Sequence, residues 1–242
     1  MVIIGGKTKG LNGSELKYIA IFAMLLDHIA WLFIPSDTAL AIGLHFIGRT
    51  TAPIMCFFIS EGYHYTRNIR RYFIRMAVFA VISHFAYAFC FRGSFFAAGQ
   101  ESVIATLTFC LLAVHVYNST KISNAFKLPI ILLIAHFAKY CDWGAFAVIF
   151  TLVFEISRGS KKRQLLAYSL TALLYVLPNI KQLINGSEGA VTSIYKVGVF
   201  LPILLLALYN GERGGGKFSK WLFYVFYPAH MILLGYISFR YG

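Results

Sequence analysis

The chain has 242 residues, of which 59% are hydrophobic and 13% charged, with a mean hydropathy of +0.70. That much apolar surface exceeds what one soluble core can bury, and the lipid phase is its natural solvent. Lys and Arg outnumber Asp and Glu by 22 to 9, a net charge of +13; the cations sit in short loops and not on one amphipathic face, which argues against nucleic acid and for topology signalling and anionic lipid headgroups.

Hydropathy places nine spans, at about 16–34, 41–64, 71–91, 102–117, 127–140, 143–157, 164–180, 191–209 and 221–239. The apolar runs show no period-two alternation, and lipid does not tolerate unpaired backbone, so the spans are helices. The fold expected is an all-α, polytopic transmembrane helix bundle, one integral membrane domain over 1–242. The fifth and sixth spans are short and separated only by Cys141–Asp142, which leaves re-entrant or tilted packing open. Met1 to Glu15 is polar and Gly-rich and the first apolar run is too long for a signal-peptide core, so no cleaved leader is expected.

The cations alternate between loops. Lys7, Lys9 and Lys17 precede the first span, and Arg67, Arg70, Arg71 and Arg75 join the second to the third. Lys121 and Lys127, then Arg158, Lys161, Lys162 and Arg163, then Arg213, Lys217 and Lys220 fill every second connection after that. The opposite face keeps only Arg92, Lys139, Lys181, Lys196 and Arg240. The positive-inside rule then predicts a cytoplasmic N-terminus and an outward C-terminus.

Charge inside a membrane helix costs several kcal/mol, about 3 or more at the centre, and marks candidate functional positions. Asp27 and His28 lie inside the first span. A carboxylate beside an imidazole can hold its tautomer and raise its basicity, which suits a general base; adjacent residues point about 100° apart on a helix, so each can have its own partner. A polar pair that only joins helices is the plain alternative. On an ideal helix Cys56, Ser60 and Arg67 fall within about 20° of Arg49, and Tyr63 within about 40°, giving one polar stripe about 27 Å long with a cation at each end. Pro53 loosens the helix along it. Pairing of Arg49 with Asp27 or Glu61 purely for packing is the alternative there.

The loop from Tyr63 through Arg75 combines Arg67, Arg70, Arg71 and Arg75 with Tyr63 and Tyr72. The guanidinium fork suits phosphate and aromatic rings stack on purines, so this loop fits a nucleotide-like anion such as coenzyme A. A purely topogenic basic loop is the competing reading. The Gly-rich loop carrying Arg213 and Lys217 can bring backbone amides to phosphates as well, though it matches no P-loop. His230 follows Pro228, which marks a kink near a cavity, and is either a second binding or catalytic group or a satisfied core histidine. His45 and Asp142 sit near the outer boundary, where they can shape an acceptor entrance. The four cysteines are scattered without CxxC spacing and read as small core residues, and no metal-ligand spacing appears, so no metal is expected.

Four segments form one ordered pattern: Leu16-Lys17-Tyr18-Ile19-Ala20 leading to Met24 and Asp27-His28; Ile47-Gly48-Arg49 with Ala52-Pro53, Phe57, Glu61-Gly62, Thr66-Arg67-Asn68, Tyr72 and Arg75; Asn210-Gly211-Glu212-Arg213-Gly214; and Phe223-Tyr224-Val225-Phe226-Tyr227-Pro228-Ala229-His230. In that order and at those distances they resemble the TraX family, the F-pilin acetylase group of membrane proteins, which implies a bacterial inner membrane. The middle, about 102–200, matches by hydropathy and by Asp142 with Gly144; where relatives often carry an acidic residue after the third-span serine, this chain has His84 after Ser83.

The resemblance implies acetyl transfer from acetyl-CoA to an amine, a pilin N-terminus in the namesake case. A looser similarity links the first-span Asp-His to membrane acyltransferases that acetylate sugars, so peptide, pilin and amino-sugar acceptors all stay open. On this reading the CoA phosphates meet Arg67, Arg70, Arg71, Arg75 and also Arg213 and Lys217, with Tyr72 beside them. The pantetheine arm follows the stripe of Ser60 and Tyr63 inward. His28, supported by Asp27, is the general base or a transient acetyl carrier, and Arg49, Tyr227 or His230 stabilises the oxyanion. A glycan or lipid acetyltransferase and a non-enzymatic permease or assembly factor are the other classes.

Overall fold

A computed structural model describes residues 10–186, 189 and 191–241, without the side chains of 217–220. Lys7 and Lys9 therefore lie outside the described residues, as do the side chains of Lys217 and Lys220. The described chain is all-helical: α1 Gly13–Phe33, α2 Ala39–Gly48, α3 Thr51–Tyr65, α4 Ile69–Arg92, α5 Val103–Asn118, α6 Asn124–Ala138, α7 Gly144–Ile156, α8 Lys161–Ile184, a 3₁₀ segment Thr192–Phe200, α9 Leu201–Ala207 and α10 Lys217–Tyr241.

Local chemistry sets the helix ends. Asn12 and Glu15 form a reciprocal capping box that starts α1. Asn68 caps α4 through the Arg71 amide, and Gly93, in the left-handed region at φ 72°, ends it. Trp143 (φ 65°) and Gly144 (φ 54°) make the tight reversal between α6 and α7, so the fifth and sixth expected spans form a helical hairpin.

Two spans depart from the continuous helices that hydropathy suggests. The second breaks at Arg49–Thr50 into α2 and α3. Pro53 explains the position: it cannot donate to the Arg49 carbonyl four residues back, and its ring crowds that carbonyl. The eighth is a 3₁₀ segment running into the short α9, with Pro202 at the α9 start.

Among the described residues four segments are long and apolar enough to cross a membrane: Gly13–Phe33, Ala39–Tyr65, Ile69–Arg92 and Trp221–Tyr241. α5, α6, α7 and Thr192–Ala207 are apolar but shorter. α3, α5 and α7 pack against one another at the centre. α6 and α8 turn leucines outward, among them Leu128, Leu132, Leu166, Leu170 and Leu174. A water-soluble fold does not leave such rows bare, whereas lipid is a good solvent for them.

The connections carrying the cations meet at one end. Leu11 pairs with Tyr209 by the bonds Leu11 N–H to Leu208 O and Asn210 N–H to Leu11 O. Lys161 Nζ donates to the carbonyls of Ala207 and Tyr209, and Arg158 pairs with Glu61 at 3.2 Å.

Candidate active site

A polar cluster occupies the interior between α1, α2 and α10. Asp27 is its anchor, accepting from His45 Nδ1 at 2.8 Å and from Arg49 Nη2 at 2.9 Å. α2 can lie this close because of Gly48, where a Cβ would fall 2.5 Å from that of Asp27. The Arg49 guanidinium stacks over Trp143 at 4.7 Å and Tyr195 at 5.3 Å. His45 is buried against Trp31, ring centroids 4.3 Å apart. Asp142, in the turn between α6 and α7, lies within electrostatic reach of Arg49 and Asp27. Burial pushes its carboxyl up to about 6, against the pull of Arg49.

His28 belongs to a second, adjoining network. Its Nδ1 lies 2.8 Å from His230 Nε2, and His230 Nδ1 lies 2.7 Å from the Phe226 carbonyl. A carbonyl only accepts, so neutral His230 carries its proton on Nδ1 and presents Nε2 as acceptor. His28 Nδ1 then donates, which leaves its Nε2 as the basic nitrogen, without a hydrogen-bond partner among the described residues. The Tyr227 ring stands edge-on to both imidazoles, 6.2 Å from His28 and 5.5 Å from His230.

A cavity of about 510 Å³ leads from the cation-bearing end towards this pair. Its mouth holds Lys17, Arg67, Arg75 and Arg213, and its walls include Met24, Val103, Ile104 and Tyr227. On α1 the lining residues Lys17, Ile21 and Met24 recur every three to four positions, and His28 continues that face one turn further. From Lys17 to His28 is about 16 Å of helix rise. Arg75 is clasped between the rings of Tyr72 (5.2 Å) and Tyr224 (5.1 Å), and its buried Nε has no hydrogen-bond partner among the described residues. A second cavity of about 410 Å³ adjoins it, sharing Glu61 and Tyr209.

Residues 12–238, from the cap of α1 to the last turns of α10, match the family described as TraX protein. The chain belongs to the TraX family. The probable fimbrial assembly protein FimC, serogroup H1, of Dichelobacter nodosus is 35% identical over 227 residues, 91% of this chain and 93% of that protein. No solved structure matches.

In this TraX chain the expected site residues divide into groups. Asp27, His28, Arg49, Tyr227 and His230 converge, but Asp27 binds His45 and Arg49 and does not hydrogen-bond His28. Arg67, Tyr72, Arg75 and Arg213 line the cavity; Arg70 and Arg71 are exposed at the start of α4 and do not line it. The expected stripe from Arg49 through Ser60 to Arg67 is not a channel wall. The break before Thr51 interrupts its helical phase, and the face it carries turns towards α7. Ser60 donates to Glu155 at 2.5 Å, and Cys56 Sγ lies 3.4 Å from the Ala147 carbonyl. Tyr63 Oη lies 3.3 Å from His115 Nδ1. The face of α3 that meets the cavity is Met55, Phe58, Ile59 and Gly62.

Sequence reasoning missed His45 as the partner of Asp27 and Lys17 as a cavity residue. It also missed Glu155, a buried carboxylate that takes hydrogen bonds from Ser60, His64 and Asn118. The spacing from Lys17 to His28 was the available signal for the cavity face. Nothing in the sequence relates Asp27 to His45 before α2 is folded back on α1.

Proposed function

We propose that this TraX-family protein is an integral membrane acetyltransferase that takes acetyl groups from cytosolic acetyl-CoA and passes them to an amine. On this reading the cation-bearing end faces the cytoplasm, the N-terminus is cytoplasmic and the chain sits in a bacterial inner membrane. The observation that carries the proposal is the cavity: four cations at its mouth and an imidazole pair with one free basic nitrogen beyond its inner end. A long anionic donor with a reactive far end suits that shape. Lys17, Arg67, Arg75 and Arg213 hold its phosphates, with the unpartnered Arg75 Nε offering a ready donor. The thioester supplies an activated acetyl carbon.

The protein's own residues then do four things. The Phe226 carbonyl fixes the His230 tautomer and His230 fixes that of His28. His28 Nε2 takes the proton of the attacking amine. Tyr227 donates towards the developing oxyanion. Asp27 holds Arg49 and His45 in place around them as a charged scaffold.

The test is release of CoA thiol from acetyl-CoA by protein purified in detergent, with peptide amines and amino sugars as acceptors. The proposal expects turnover, and a drop of about 10²-fold or more in His28→Ala with folding intact. Near-full turnover in that variant rules out His28 as the base. Absence of turnover in the unaltered protein favours an assembly role without group transfer, in line with the name of the Dichelobacter relative.

A further inference from the structure

The start of α5 is buried and uncapped. Ser102 occupies the N-cap position with φ −68° and ψ 159°, yet its side chain makes no cap hydrogen bond. Serine is among the best capping residues, and its oxygen normally takes an amide of the first turn. Here Ser102 is fully buried, and its Oγ has no hydrogen-bond partner among the described residues. The Ala105 and Thr106 amides both donate to the Ser102 carbonyl. The Ile104 amide has no acceptor among the described residues, and the Val103 amide is directed at the Tyr227 oxygen. Both residues are 6% exposed. Unsatisfied amides at membrane depth are costly, and a helix end buried this way calls for a partner.

A second observation points to the same spot. Tyr227 is 2% exposed, its hydroxyl has no acceptor for its proton among the described residues, and its oxygen faces the Val103 amide. Val103, Ile104 and Tyr227 all line the cavity described above. A free amide, the positive end of a 16-residue helix and a phenol whose oxygen faces the Val103 amide thus border one space next to His28.

We infer that the α5 N-terminus and the Tyr227 hydroxyl form an oxyanion pocket for a thioester carbonyl. The inference rests on the acetyl-transfer reading and specifies where the carbonyl oxygen goes. The amine nitrogen bonds to the acetyl carbon while the carbonyl electron pair moves onto oxygen, held by the Ile104 amide and by the Tyr227 hydroxyl, which the Val103 amide polarises. His28 Nε2 takes the nitrogen's proton. The C–S bond then breaks as the carbonyl re-forms, and His28 returns the proton to the departing sulfur, giving acetylated amine and CoA thiol.

Proline at position 103 isolates one amide. It removes the N–H at the first helical position, where proline is well tolerated, and the extended Ser102 backbone is the conformation a following proline requires. Val103→Ala trims the side chain and keeps the amide, so it is the reference. The expected result for Val103→Pro is a kcat about 10²-fold below that of Val103→Ala, with acetyl-CoA affinity alike in the two and melting temperatures matched. Tyr227→Phe shows a loss of the same order. Infrared difference spectra with carbonyl-labelled acetyl-CoA give an independent readout: the carbonyl stretch falls on binding to Val103→Ala, and that fall shrinks in Val103→Pro. Equal kcat and equal carbonyl frequency in the two variants, with an active unaltered protein, overturn this inference alone. No binding and no CoA release by the unaltered protein overturn the acetyl-transfer reading and this inference with it.

Discussion

Asp27 and His28 are neighbours in sequence but belong to different networks. A helix turns about 100° per residue, so their side chains diverge: Asp27 meets α2 and His28 meets α10. The sequence marked both as costly to place in lipid, and it marked Arg49 and His230 for the same reason. The pairing of Arg49 with Asp27 was one of the two the sequence offered, and the structure has it; His45 and His230 were not legible as partners, because a contact 18 or 202 residues away is set by packing and not by spacing. The Asp27–Arg49–His45 group is a buried charge cluster whose members depend on each other. Asp27→Ala leaves a buried guanidinium without its counter-ion, so it should cost about 3–5 kcal/mol of stability. Thermal unfolding in detergent measures it, and a midpoint within error of the unaltered protein would contradict the scaffold role. Such a result would also separate a charge that shapes the site from one that does chemistry.

At the scale of helices, the positions of the elements were largely readable and their continuity was not. Apolar runs and basic loops located the helices from α1 to α10. The break at Arg49 is the instructive departure: Pro53 was visible, but a loosened helix and a broken one look alike in sequence. The consequence reaches the site, since the break turns Ser60 and Cys56 to α7 and gives the cavity Met55, Ile59 and Gly62 in their place. Close helix contacts were likewise hidden. Gly235 on α10 lies against α4, where a Cβ would come 2.8 Å from Cys90 Cα, a backbone atom that cannot swing aside. Gly235→Ala should therefore part α4 from α10 and cost about 1–3 kcal/mol. Gly43→Ala in α2, with nothing within 4 Å, has no such clash and gains helix propensity of up to about 1 kcal/mol. Unfolding midpoints of the two variants should move in opposite directions; parallel shifts would mean that the α4–α10 contact is not tight.

For the whole molecule, the alternation of basic and neutral connections was the clearest message of the sequence, and the structure gathers the cation-bearing connections at one end. The cavity was beyond the sequence because α1, α3, α4, α5 and α10 each contribute one face to it, along with the loop around Arg213. No single segment has the signature of a binding site. Basic residues that serve topology and those that hold an anion are chemically identical; only their placement around a common opening distinguishes Arg67 and Arg75 from the exposed Arg70 and Arg71. The central claim, that this opening receives a CoA thioester, is tested most directly by isothermal titration of acetyl-CoA into the purified protein and into a variant with Arg67, Arg75 and Arg213 replaced by Ala. Saturable binding of one molecule per chain, weakened about a hundredfold or more in the variant, is the result expected from losing charge-assisted phosphate contacts. Equal affinity in the two proteins, or no binding to the unaltered one, would contradict it.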